Sequence, residues 1–373
     1  MIKKELNLSV PHMSGGEMEY ILEAMNQNSL APIDCNINAF ESEFCEKTGV
    51  EYAAGVSTGT AAIHMALLAY GVKPGDIVFC SALTFSASAN PIVYCGATPV
   101  FIDCDESMSM SMDALEKAFK KYTPKAVVPV DIYGQCVDYD RMREITGDTV
   151  IVEDAAEGLG STYKGKACGS FGDIAAFSFN TNKMITTSGG GMVVSDNKTL
   201  IDKIKFWSRQ SKDPDFHYLH SELGYNYRMN NVGAGIGRAQ LKCLDERVEK
   251  KRLIHGLYCK HFADNPYVKM FEENSYGKAS FWFSTMMISD DCPVNTQTIA
   301  KALAEDCIEA RPIWKPLHTQ PFYKDTQCFF HDDICMSQKI SDKGLCLPSD
   351  ISLDEDDIIR VVSLVNKTIY DAL

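Results

Sequence analysis

Residues 172–196 read GDIAAFSFNTNKMITTSGGGMVVSD. Two apolar runs, 174–179 and 192–195, have the length and composition of strands. Between them lie a polar turn with a single lysine, Lys183, two threonines, and then Ser188 followed by Gly189, Gly190 and Gly191. Three consecutive residues without a Cβ cost backbone entropy, and an ordinary surface loop has no need of them. They suit close approach of backbone to backbone, or of backbone to a bound group. A lysine on such short connections is placed to form a Schiff base, because a partly desolvated amine gives up its proton more readily. Taken alone, the stretch also reads as a plain β-hairpin with a surface lysine. The rest of the chain decides between the two.

Working outward on the amino-terminal side, 51–56 is a short strand, followed by Ser57-Thr58-Gly59-Thr60 and a helix that ends at Gly71. A strand, a small-residue turn and a helix start direct several backbone N–H groups at one place, which suits a phosphate; an ordinary helix cap has the same pattern. Strand and helix then alternate. Strands are expected at 77–80, 99–103, 126–132 and 149–152, with helical runs at 84–94, 113–121 and 138–146. Continuous apolar strands joined by helices imply an open, largely parallel sheet covered on both faces, with ligands at the carboxyl ends of the strands. Thr60, Phe85, Asp154 and Lys183 all fall just past strand ends. Asp154 follows Thr149-Val150-Ile151-Val152-Glu153 directly, where a carboxylate is poorly solvated. It reads either as a cap or buried acceptor, or as the counter-charge for a protonated heterocycle nitrogen. An amine, a phosphate nest, an aromatic ring and a buried carboxylate together describe a pyridoxal phosphate pocket.

The flanks are less specific. Residues 1–50 read as irregular and then helical, with helices at 16–25 and 38–48. A helix is expected at 199–211. A polar, aromatic stretch, 212–231, carries His217 and His220 without an evident third ligand, so no metal site is expected. One long helix is expected at 232–262, with Gly233, Gly235 and Gly237 permitting close packing, against another subunit among other options. Past residue 265 a short strand (282–289) and helices at 296–307, 333–341 and 354–369 suggest a smaller α/β unit. The domain division expected is 1–250 and 251–373.

Composition narrows the function classes. The chain has 373 residues, 45% of them hydrophobic and 23% charged, enough for a large core and two domains. It contains no run of eighteen apolar residues, so a membrane span is not expected. The start, MIKKELNLSVPHM, lacks the apolar segment of a secretory signal. Fourteen cysteines are scattered without a CxxC pair, the pattern of reduced thiols in a cytoplasmic protein. A formal net charge of −14 argues against nonspecific nucleic-acid binding, though not against a small anionic ligand.

Seven pieces carry a family resemblance: STGTAA at 57–62, ALTFSASAN at 82–90, VIVEDAAEGLGS at 150–161, FSFNTNKMITTSGGG at 177–191, GYNYRMNN at 224–231, ARPIWKPLHTQ at 310–320 and LCLPSD at 345–350. In this order and spacing the chain resembles, over nearly its whole length, the sugar-nucleotide aminotransferases of the DegT/DnrJ/EryC1/StrS family. These are fold-type-I enzymes, like aspartate aminotransferase. The resemblance implies a large, mostly parallel sheet domain with a smaller carboxyl-terminal α/β domain, pyridoxal 5'-phosphate as cofactor, and a homodimer with shared sites. It implies that Lys183 bonds to the cofactor and carries the catalytic proton, that Asp154 pairs with the pyridine nitrogen, and that Phe85 stacks on the ring. Thr60, Ala61 and Ser178 would hold the phosphate, with Asn226 reaching in from the other subunit.

Glu157 stands near the ring hydroxyl, where many relatives carry Gln or His. Facing an oxygen anion it would have to be protonated, bonded through its neighbour or turned aside. Relatives with a similar NTNK and SGGG pattern also carry Glu there and act on UDP-linked N-acetylated 4-keto sugars. Asp131 departs from a usual His. Arg311 and Arg228 are candidates for anion recognition, Arg228 equally for a structural role, and His318 for a substrate contact. The implied reaction moves an amino group from glutamate to the C4 ketone of a UDP-4-keto-6-deoxy-N-acetylhexosamine. The alternatives are a GDP-linked, perosamine-type substrate or a C3 ketosugar. A non-catalytic protein of the same fold is a further one.

Overall fold

The computed structural model describes residues 3–26 and 35–373; part of the irregular stretch expected within 1–50, at 27–34, lies outside them. Eight strands form the large sheet in the order Tyr52–Val56, Gly191–Ser195, Ile174–Ser178, Val150–Asp154, Ala126–Val128, Ile77–Ser81, Thr98–Ile102 and Cys328–Phe329. Only Gly191–Ser195 runs against the others. The expected parallel sheet is therefore present, with the hairpin of residues 172–196 supplying its single reversed strand.

Burial on both faces explains the unbroken apolar runs. Val78, Cys80, Val128, Val152, Ala176 and Val193 fill one hydrophobic layer, while Phe79, Val127, Ile151, Phe177, Met192 and Val194 fill the other. Successive strand residues point to opposite faces, so a strand covered on both sides has no polar positions to alternate. The helix Gly59–Ala69 packs on the first layer, and Cys35–Thr48 on the second through Phe40 and Phe44.

A second, four-stranded antiparallel sheet comprises Val268–Met270, Ser284–Ile288, Gly344–Leu347 and Arg311–Pro312. It shares a separate core with the helices Leu244–Phe262, Thr296–Glu305 and Glu355–Tyr370. The single helix expected at 232–262 is two, Asn231–Lys242 and Leu244–Phe262, joined at Cys243 with φ −98° and ψ 7°. The glycines near its start pack within this chain. A Cβ on Gly235 would meet Tyr20 and Asn36 at 3.0 Å, and one on Gly237 would meet the Phe40 ring at 2.6 Å. The helix expected at 199–211 ends at Trp207, within Lys198–Trp207. The helical run expected at 84–94 is a 3₁₀ turn, Ser86–Ser88, followed by a short helix, Asn90–Tyr94. Among the described residues no helix is long and apolar enough to cross a membrane.

Candidate active site

The strands other than Gly191–Ser195 bring their carboxyl ends to one edge of the large sheet, and the loops leaving that edge enclose a cavity of about 480 Å³, the size of a small-ligand site. Its lining includes Thr60, Phe85, Asp154, Glu157, Ser178 and Lys183, six of the residues singled out from sequence. Gly189 and Gly190 also face it, as do Thr84, Ser88, Trp282 and Trp314.

The glycine run has a packing reason at two of its three positions. A Cβ on Gly191 would lie 2.5 Å from the Thr58 carbonyl oxygen, and one on Gly190 would lie 2.3 Å from Thr187 Oγ1. Gly191 thus lets the reversed strand pass against the turn before the helix Gly59–Ala69. At Gly189 a Cβ would meet nothing within 4 Å, so no crowding from the chain itself requires a glycine there, and its bare backbone borders the cavity. The helix opens at Thr58, whose hydroxyl accepts the Ala61 N–H at 3.0 Å. Ala61 is buried, its N–H is taken by this cap, and it is not among the lining residues. Thr60 and Gly59 line the cavity at the positive end of the helix.

Lys183 sits in the turn after Ile174–Ser178, its N–H bonded to the Asn180 carbonyl at 3.0 Å. Its side chain is 13% exposed, and Nζ lies 3.4 Å from Glu157 Oε1. The other Glu157 oxygen accepts the Tyr133 N–H at 2.8 Å. Glu157 is thus held by a backbone donor on one oxygen and faces the lysine with the other. Nζ also lies 3.9 Å from the centre of the Trp282 indole.

Asp154 is buried at the end of its strand. Its carboxylate accepts the Ser88 hydroxyl at 2.6 Å and the Ala156 N–H at 3.2 Å, and Ser88 is bonded in turn to Thr84 at 2.8 Å. Burial pushes its pKa up to about 6, Ser88 and Ala156 pull it down, Glu157 adds to the rise and Lys183 opposes it. A carboxyl poised in this way gains from a cationic partner.

The remaining expected residues lie elsewhere. Asn226 and Arg228 are exposed, on a segment paired through its backbone with Arg209 and Val56, and neither lines this chain's cavity. Arg311 is exposed and bonded to Glu309 at 3.0 Å. It borders a neighbouring cavity that shares Asn182 and Trp314 with the first. His318 is half-buried against Cys335, 3.4 Å away, and Phe330, outside the lining; burial lowers its pKa. His220 Nδ1 is within 2.7 Å of the Gln210 carbonyl. Asp131 is structural: fully buried, it accepts the Val137 N–H at 3.1 Å, the Tyr139 hydroxyl at 2.8 Å and the Cys168 thiol at 2.8 Å. Burial, with Glu153 nearby, holds its pKa well above the ordinary range.

A lysine and a buried carboxyl facing one cavity at the strand ends, beside a helix start, are what the sequence resemblance requires. The DegT/DnrJ/EryC1/StrS aminotransferase family model matches residues 11–366. The chain belongs to this family. It is a pyridoxal-phosphate-dependent aminotransferase. Its relatives include a putative pyridoxal phosphate-dependent aminotransferase, EpsN, of Bacillus subtilis, 44% identical over 97% of this chain and 95% of the relative. A GDP-perosamine synthase of Caulobacter vibrioides is 35% identical, covering 98% of each. A UDP-4-amino-4,6-dideoxy-N-acetyl-beta-L-altrosamine transaminase of Campylobacter jejuni is 34% identical over 77% of this chain and 78% of the relative. Among solved structures, Helicobacter pylori PseC shares the fold, with TM-score 0.91, 24% identity, and coverage of 99% of this chain and 100% of that one.

The aminotransferase cavity suits the family's cofactor. It holds an amine, Lys183, against Glu157 and a separate buried carboxyl, Asp154, raised to about 6, and it leaves Gly189 open beside a helix start. Ser88, Thr84, Trp282 and Trp314 are among the lining residues that sequence reading did not single out. Ser88 lies within the quoted ALTFSASAN motif, where a hydroxyl facing a buried acid could have been sought. Thr84, Trp282 and Trp314 carry no local signal that separates them from core residues.

Proposed function

We propose that this aminotransferase moves an amino group from glutamate to the C4 ketone of a UDP-linked 4-keto-6-deoxy-N-acetylhexosamine. The observation that carries the chemistry is the meeting of Lys183, Glu157 and buried Asp154 in one cavity. When bound, the cofactor supplies the electron sink. Lys183 Nζ would take the proton from the carbon bearing the amino group and return it to the carbon on the other side of that nitrogen, as a base tethered beside the reacting centre. Glu157 Oε1 steadies Nζ while it carries the proton. Asp154 holds the ring nitrogen in its protonated form, and Phe85 covers the ring. Thr60 and Ser178 hold the phosphate at the helix start, where the Ala61 N–H is already taken by the Thr58 cap.

Asn226 completes the phosphate site from a second subunit, which accounts for its exposed position away from its own cavity. Phe216, Tyr218 and Leu223, 95%, 79% and 77% exposed on the segment just before it, suit such a homodimer. Arg228 and Arg311 receive substrate anions. In the same reading residues 1–250 carry the cofactor and 251–373 close over the substrate. The enzyme works in the cytoplasm, consistent with fourteen free cysteines.

The UDP-linked substrate is supported by the Campylobacter relative and by Glu157 within its motif. A GDP-linked 4-keto-6-deoxy sugar is the second reading, favoured by the fuller coverage of the Caulobacter relative. The test offers the enzyme glutamate with UDP-4-keto-6-deoxy-N-acetylglucosamine or with GDP-4-keto-6-deoxymannose, and measures amino-sugar nucleotide and 2-oxoglutarate. The expected kcat/KM favours the UDP sugar by at least roughly tenfold. Turnover of the GDP sugar alone would overturn the substrate and leave the chemistry standing.

A further inference from the structure

Trp282 is 1% exposed, and its indole centre lies 3.9 Å from Lys183 Nζ. That is well inside the range of about 6 Å over which a ring face attracts an ammonium group. The ring is fixed from several sides. Its Nε1–H donates to the Asn182 carbonyl at 2.7 Å, so the indole is tied to the residue just before the lysine. Its backbone N–H donates to the Tyr133 carbonyl at 3.0 Å, and its carbonyl accepts the Lys251 ammonium at 2.9 Å. Tyr133 and Phe283 lie against its ring, with centroids 6.3 and 3.9 Å away.

The backbone leading to it is conformationally costly. Phe281 has φ +49°, an unusual value for a bulky residue. His255 stacks on the Phe281 ring at 3.7 Å and holds it there. Gly134 admits this segment closely, since a Cβ there would lie 2.2 Å from Ser280 Oγ and 3.2 Å from the Trp282 nitrogen. A strained turn with several independent supports delivers one aromatic face to the reactive amine.

We propose that Trp282 is a catalytic contact of Lys183, its indole face carrying the ε-ammonium whenever the lysine holds the proton. Glu157, 3.4 Å away, supplies the opposite charge, and the indole supplies a second, water-excluding wall. The ammonium thus has a defined resting place in a buried cavity. Lys251 acts through the Trp282 carbonyl and is a positioning residue. The inference rests on Lys183 being the proton carrier, and its test reads the lysine itself in the full chain freed of cofactor.

The charged and titratable groups around the pair are Glu157 and Asp154 on the strand-end segment and Tyr133 on the facing loop. Behind the indole is Lys251, with Arg247 and Asp350 next to it. All remain in the variants used. Trace acetylation across a pH series, read by mass spectrometry on the Lys183 peptide, gives the pH of half-reaction. In Trp282→Leu that pH should fall, corresponding to a loss of proton affinity of roughly threefold to tenfold. Trp282→Phe, which keeps a ring with a weaker face, should shift it less in the same direction. A folded Trp282→Leu variant with an unchanged or raised midpoint overturns the proposal, even if activity is lost. If the Leu variant does not fold, the Phe variant decides by the same criterion. Lack of turnover on any ketosugar would count against the substrate reading without moving this result.

Discussion

Asp154 shows how one hydroxyl sets the working range of a buried acid. Ser88 donates at 2.6 Å and is the largest of the effects drawing the carboxyl down against burial. Ser88→Ala should therefore raise the Asp154 pKa further above about 6. In the proposed site the cofactor's ring nitrogen pairs with the carboxylate, so on that reading affinity should weaken as pH falls through this titration, and the break should move to higher pH in the variant. At neutral pH the variant should bind pyridoxal phosphate roughly threefold to tenfold more weakly, measured by fluorescence titration. Lys183 and Asp154 were legible in sequence because each follows an apolar strand, where a charge needs a reason. Ser88 and Trp282 were not, because a serine in a small-residue turn and a tryptophan among Phe281 and Phe283 look like ordinary structure until their partners are placed.

At the scale of elements, the helix Gly59–Ala69 joins stability to binding. Its cap, Thr58, satisfies the Ala61 N–H. Thr58→Ala should cost about 1 kcal/mol in a denaturant melt and also weaken cofactor binding, since the helix start borders the cavity. The matched control is Asn197→Ala, which removes the cap of the helix Lys198–Trp207. It should cost a similar amount and leave cofactor affinity unchanged. If both variants bind cofactor equally well, the helix start has no part in the site. Most elements were legible from apolar periodicity. The break at Cys243 was not, since no glycine or proline marks it; Cys243 takes a non-helical ψ of 7° between two helices that pack on different neighbours.

For the whole molecule, buried histidines and Asp154 oppose one another in acid. Burial lowers His64 and His255 to about 4. The unfolded chain then binds more protons than the folded one below the ordinary histidine range, so stability is lost as pH falls from about 6.5 toward 4. Asp154, raised to about 6, has the reverse sign: its contribution is present below the ordinary carboxylate range and fades as pH rises toward 6. Asp131, held well above the ordinary carboxylate range by burial, has the same sign as Asp154. In urea melts of the cofactor-free protein, His64→Gln should therefore lose less stability between pH 7 and 4.5 than the native chain does. The broad architecture was legible because strands buried on both faces declare a parallel sheet. The placement of Arg311 and His318 outside the cavity was not, because their motif is a loop whose path depends on the second sheet.

The most direct measurement is the absorption spectrum of the purified enzyme with pyridoxal phosphate, before and after glutamate, beside Lys183→Ala. The cofactor band should fall with glutamate and return on adding the ketosugar, and neither change should occur in the variant. A protein that acquires no cofactor band, or a Lys183→Ala variant that responds as the native enzyme does, would contradict the account.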